Sequence, residues 1–215
     1  MPSVERPILF SASMVRALLD GSKTQTRRVV KWRDLQPGLN LSFSGLEVYS
    51  YVPGLFTLEG RSRNSVESRS SPTRCPYGDP GDRLWVREAF GISYDGSSIP
   101  WTGADPQRDG EVIYRATFDE KPEEGRLPWK PSIHMPRWAS RIVLEITGVR
   151  VERLQAISEA DARAEGVVPN DGYAGPPEFR NSGWKKAYRV LWEQINGAGS
   201  WDANPFVWVV EFRKS

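Results

Sequence analysis

The chain is poor in the residues on which most metal and redox chemistry relies. It has one cysteine, Cys75, and one histidine, His134, in 215 residues. A single cysteine excludes an intrachain disulfide framework and a cysteine-based zinc site. A single histidine excludes a multi-histidine metal site and makes a Ser-His-Asp triad a poor fit. Only carboxylates are left as a ligand set, and they show neither Ca²⁺-loop nor paired-acid spacing. The expectation is a site with no metal and no cofactor. Charge of one sign is also scarce: 29 Lys and Arg stand against 27 Asp and Glu, a net of +2. Any basic surface must therefore come from local clustering. No apolar run approaches the roughly 20 residues of a membrane span, and the start of the chain lacks a signal-peptide pattern. A cytoplasmic protein with no membrane partner is expected, with a monomer as the default.

What is present is enough for a core. Hydrophobic residues make up 39% of the chain, and nine are Trp, a number that suits aromatic packing or base stacking. The length suggests one domain, residues 1–215, with elaborate insertions. Pro7-Ile8-Leu9-Phe10 reads as a short strand. Ser11 or Ser13 can cap a helix running to about Asp20, with Gly21 closing it. Leu46, Val48 and Leu55, Thr57 flank Pro53-Gly54 as a hairpin. Arg61 to Arg74, rich in Arg and Ser, reads as a mobile surface loop. Asp79-Pro80-Gly81-Asp82 is a turn before a strand from Arg83 to Glu88. Residues 91–130 are Gly-, Pro- and Asp-rich around one short strand, Val112 to Ala116. Stretches 33–75 and 91–137 are read as insertions into a smaller core.

From Arg141 the pattern tightens. Ile142, Leu144 and Ile146 alternate, Gly148 permits a bulge, and Val149 and Val151 resume in the other phase. Ser158-Glu159-Ala160-Asp161 looks like a capping box for a short helix ending at Gly166. Trp184, Ala187, Tyr188, Leu191, Trp192 and Ile195 follow helical spacing, with Ser182 as cap and Gly197 as stop. Phe206 to Phe212 reads as a buried strand. The sum is an α+β fold: a mostly antiparallel, strongly curved sheet with a few helices.

The densest chemical signal is Gly21-Ser22-Lys23-Thr24-Gln25-Thr26-Arg27-Arg28. It has a bland reading, a helix C-terminus whose cations favour the dipole, followed by an exposed strand edge. It also has a family reading. A helix ending in Gly-x-Lys-Thr-x-Thr-x-Arg, then Pro80-Gly81-Asp82, Ser140 to Leu154, Ser158 to Gly166 and Pro205 to Phe212 come in an order that resembles the ASCH domain family of the PUA-like superfamily. The stretches Trp85 to Phe90 and Lys130 to Ile142 are similar to those of longer phage and prophage members, for which the host cytoplasm would be the location. The resemblance implies a PUA-like curved β-barrel with flanking helices and two long insertions. It also implies a site. Some compact members are N4-acetylcytidine amidohydrolases that use a Lys, a Thr and a Glu, which correspond by motif position to Lys23, Thr26 and Glu165. Arg28 matches the closing Arg, and Thr24 lies between.

Those residue types suit amide hydrolysis, which needs a nucleophile, a base and an acid for the leaving amine. Thr26 can attack if a desolvated Lys23 loses its proton, and Glu165 can carry a proton or polarise the amide. Side chains three apart on a flat strand point to opposite faces, so Lys23 and Thr26 cooperate only if the chain turns between Gly21 and Thr24. Lys130, Ser132 and His134 sit in a Pro-braced loop and are candidate substrate contacts. Arg87 is a candidate phosphate contact, with an internal ion pair as its alternative. Trp129 and Trp138 flank the loop as stacking candidates. Two functions remain open: an amidohydrolase for N4-acylated cytidine or a related modified nucleoside, and an RNA- or nucleic-acid-binding module, with or without nuclease activity.

Overall fold

In the computed structural model the described residues are 3–62, 65–94, 104–118, 129–169 and 183–215. Strand β1 (Glu5–Leu9) leads into helix α1 (Ala12–Leu19). Ser11 caps α1 by accepting a hydrogen bond from the Met14 N–H, and Gly21, at φ +81°, turns the chain out of it. That left-handed turn is one that glycine adopts without steric cost. Strand β2 (Gln25–Val29) follows.

Three further strands complete the main sheet: β7 (Arg83–Arg87), β10 (Val143–Arg153) and β11 (Phe206–Lys214). Their order is β1-β7-β10-β11-β2, with β1 parallel to β7 and the other pairs antiparallel. Strands β1 and β2 are the two edges. In a flat sheet they would lie about 19 Å apart, at about 4.8 Å per strand. Yet Arg28, on β2, donates from Nη2 to the Leu9 carbonyl of β1 at 2.8 Å. The sheet is therefore curled, and a side chain rather than a strand ladder spans its edges.

β11 explains why its sequence is so uniformly apolar. Trp208, Val210 and Phe212 point into a core with Val15, Leu84 and Leu144. Val207 and Val209 point the other way, into a second core under the helices with Leu154, Tyr188 and Trp192. A strand buried on both faces loses the usual polar alternation. On β10 the register slips between Ile146 and Gly148. The bulge lets Val149 and Val151 face the same core as Leu144 and Ile146 despite their odd spacing.

Helix α2 (Glu159–Ala164) opens with the expected capping box between Ser158 and Asp161. Helix α3 (Trp184–Asn196) begins after Gly183 and ends at Gly197; Ser182 lies outside the described residues. A second sheet falls within residues 33–75. It comprises β3 (Leu46–Val52), β4 (Leu55–Ser62), β5 (Ser65–Ser68) and β6 (Thr73–Arg74). The Arg/Ser stretch expected as a mobile loop supplies two of these strands. Its small hydroxyls do the work that apolar side chains usually do. Ser70 is buried and its Oγ accepts from the Leu58 N–H, and Thr73 is buried with its Oγ1 accepting from the Arg33 N–H. Its described arginines are paired: Arg61 with Glu47, Arg69 with Glu67 and Arg74 with Asp79. Among the described residues of 91–137 there is also one strand more than expected. β8 (Phe90–Ser93) pairs with β9 (Glu111–Tyr114), and Arg115–Thr117 is a 3₁₀ turn rather than a strand continuation. No helix among the described residues is long and apolar enough to cross a membrane.

Candidate functional site

Gly21 and Ser22 turn the chain before β2 begins, as cooperation between Lys23 and Thr26 requires. Lys23 then forms an isolated bridge with Glu165, 142 residues away. The approach depends on Gly166, at φ +77°. A Cβ built there would lie 2.7 Å from the Ala17 Cβ and 2.8 Å from the Lys23 Cβ, closer than carbon atoms pack.

The Lys23 ammonium is buried and completely engaged. Its Nζ donates to the Gln25 carbonyl at 2.9 Å, the Glu165 carbonyl at 2.8 Å and Glu165 Oε2 at 3.0 Å. An ammonium has three donors, and these three acceptors use all of them. The Phe10 ring lies 5.4 Å from Nζ. Burial pushes the Lys23 pKa down, against the upward pull of the Glu165 carboxylate. The other Glu165 oxygen, Oε1, accepts from Arg27 Nη1 at 3.1 Å. Arg27 is itself buried, and it also reaches Glu152 Oε1 from Nη2 at 2.5 Å and Asp161 Oδ2 at 3.6 Å. The bland reading of this stretch as solvated charge therefore fails for Lys23 and Arg27.

β2 is an edge strand, and a cleft of about 200 Å³ lies against it. Residues from both strand faces line it: Thr26 and Arg28 from one, Arg27 from the other. Glu165 closes one wall, and Tyr188 and Trp192 of α3 contribute another. Thr26 is 2% exposed, and its hydroxyl has no hydrogen-bond partner among the described residues. The structure thus brings Thr26, Arg28 and Glu165 to one cleft, with Lys23 directly behind Glu165. Thr24 is exposed and does not line the cleft; its backbone N–H donates to the Ala164 carbonyl.

The remaining candidates lie elsewhere. Arg87 donates from Nη2 to the Ile133 carbonyl, and its guanidinium sits over the Trp85 ring. It ties down the 130–137 loop, by a carbonyl rather than by the ion pair considered from sequence. Lys130 and His134 are exposed and Ser132 is half-buried in a 3₁₀ turn; none of them lines the cleft. Trp129 packs edge-on against Phe118 with Arg115 over it, which occupies its ring. Sequence reasoning missed Arg27, Lys31, Tyr77, Tyr188 and Trp192, which all line or brace the cleft. Tyr188 and Trp192 were hidden in a helical stripe that reads as core, which they also are. Among the described residues no group of three or more His, Cys, Asp and Glu side chains is placed to hold a metal ion.

Searches of the chain against protein-family models, curated proteins and solved structures return no match.

Proposed function

We propose that the cleft is the active site of a hydrolase that cleaves the N-acyl amide of a modified nucleoside, N4-acylated cytidine being the leading substrate. The observation that carries this reading is that the unpartnered Thr26 hydroxyl and the clamped Glu165 carboxylate share one cleft. A volume of about 200 Å³ lies below the usual range for drug-sized ligands and suits one base-sized group. The PUA-like, ASCH-type fold belongs to the same proposal, and the curled five-stranded sheet and the motif order support it.

In this mechanism the Thr26 oxygen attacks the amide carbonyl carbon and gives up its proton as the C–O bond forms. Lys23 and Glu165 act as one proton-holding unit. Burial lowers the Lys23 pKa against the pull of Glu165, and Lys23 Nζ donates to Glu165 Oε2 at 3.0 Å, so a proton taken from Thr26 is held within this hydrogen-bonded pair. The base needed at Thr26 is thus supplied by the pair. The acid needed at the leaving cytosine amine is the same pair carrying the transferred proton. Water then hydrolyses the acyl-threonine and regenerates the hydroxyl.

Acetate release from N4-acetylcytidine tests this reading. Thr26→Ala is expected to lower kcat about a thousandfold or more. Lys23→Arg is expected to be inactive as well, because a guanidinium stays protonated. Circular dichroism establishes that each variant is folded. Thr26→Ala turning over at the wild-type rate would remove Thr26 as nucleophile. A second reading, an RNA grip, is favoured by Arg28 and Lys31 beside the cleft. It requires single-stranded RNA affinity that falls steeply with salt and no release of acetate.

A further inference from the structure

Three cations and one carboxylate line the cleft. Arg27 does not contribute open charge, because it is clamped between Glu165, Glu152 and Asp161. Glu165 does not either, because Lys23 and Arg27 neutralise it. Arg28 and Lys31 remain. Arg28 forms one hydrogen bond, to a neutral carbonyl, and lies over the Phe10 ring. Its other N–H donors are unengaged. Lys31 is exposed. Neither is paired with a carboxylate among the described residues. This contrasts with the arginines of the second sheet, where Arg61, Arg69 and Arg74 each have an acidic partner. On the α3 wall, Trp192 has a buried indole N–H with no partner among the described residues. A fork-shaped guanidinium and a point-charge ammonium, both uncompensated, flank a base-sized space with aromatic walls.

We infer that the cleft takes a phosphorylated nucleoside, with Arg28 and Lys31 holding the phosphate monoester. The choice of nucleoside rests on the hydrolase reading above; the anion site rests on the charge inventory. A guanidinium matches phosphate geometry through paired N–H donors, and the Lys31 ammonium, past the end of β2 where the chain is no longer held to strand alternation, lines the same cleft and adds a second charge. A neutral nucleoside leaves both cations without a counter-charge. The discrimination is therefore a property of the phosphate, and it falls with salt because both cations are near the surface.

Isothermal titration calorimetry of the full chain with cytidine, cytidine 5′-monophosphate and inorganic phosphate tests this at low salt. The monophosphate is expected to bind about tenfold tighter than cytidine. Lys31→Gln and Arg28→Gln are each expected to shrink that ratio severalfold, and the double variant to erase it. Lys31→Glu, at an exposed position that carries no fold, should invert the ratio and covers the case where Arg28→Gln fails to fold. If cytidine binds as well as its monophosphate, or the ratio survives the double variant, the inference is overturned while the nucleoside reading stands. If phosphate binds through Arg28 and Lys31 but neither nucleoside form does, the anion site stands and the nucleoside reading falls. If none of the three probes binds, both fail. Binding of a single-stranded oligonucleotide without binding of the monophosphate would also overturn it.

Discussion

Lys23 and Tyr188 are opposite cases of a buried ionisable group beside Glu165. Burial disfavours the charged form of each. For Lys23 that pushes the pKa down, with Glu165 pulling it back up. For Tyr188 burial pushes the phenol well above 10, and the Glu165 charge adds to the effect. The two leave opposite signatures in alkaline stability. An unfolded Lys holds its proton up to about pH 10.4, so in the window below that the unfolded chain binds more protons at this site. Stability from Lys23 therefore rises with pH there. An unfolded Tyr loses its proton near pH 10 while folded Tyr188 keeps it, so stability from Tyr188 falls as pH rises past that value. Between pH 10 and about pH 11 the urea midpoint of the wild-type chain is therefore expected to fall more, or rise less, than that of Tyr188→Phe. Equal slopes would show that Tyr188 ionises as easily folded as unfolded.

At the scale of elements, the site is made by the end of α2 meeting the end of α1. Ser158 and Asp161 start α2, Glu165 caps it, and Gly166 reverses the chain against Lys23. Gly166→Ala is expected to cost more than the roughly 1 kcal/mol of an ordinary misplaced alanine, because its methyl would meet the Ala17 and Lys23 Cβ atoms as well as a left-handed backbone. It should also separate Glu165 from Lys23. Urea unfolding reads the first effect and acetate release the second; a variant as stable and active as wild type would mean that the contact is not needed. Both helix starts were legible in the sequence because a cap is a local pattern: Ser11 before an apolar run, Ser158 with Asp161 three residues on. The strands of residues 65–74 were not legible. Their backbone is stabilised by Ser70 and Thr73 hydroxyls and by pairing with β4. A hydroxyl that satisfies a ladder looks the same in sequence as one that solvates a loop. β8 was missed because four residues including Gly91 carry no period, and its partner β9 lies about twenty residues on.

At the scale of the whole molecule, one ionic network joins β2, β10, β11 and α2. It runs from Lys23 through Glu165 and Arg27 to Glu152 and Asp161, then through Arg150 to Glu211. The sequence placed Lys23 and Glu165 in one motif order, but it gave no sign that Arg27 is buried. Its partners Glu152 and Glu165 lie 125 and 138 residues away, and only the curled sheet brings them to it. Burial changes the magnitude. An exposed pair such as Arg150–Glu211, with side chains 38% and 44% exposed, contributes at most about 1 kcal/mol. Arg27 has a side chain with no exposure, and removing it leaves Glu165 and Glu152 with fewer counter-charges in a poor solvent. Arg27→Met is therefore expected to cost about 3–5 kcal/mol of stability. Glu152→Gln should cost less, because Glu152 is 21% exposed and neutralising it relieves its own desolvation. The double variant removes both ends of one contact, so it should be more stable than the two single losses added together, by about 1–3 kcal/mol. Urea unfolding of the four proteins gives that coupling directly. Additivity within about 0.5 kcal/mol would mean that Arg27 and Glu152 act independently, and the network would reduce to the Lys23–Glu165–Arg27 clamp alone.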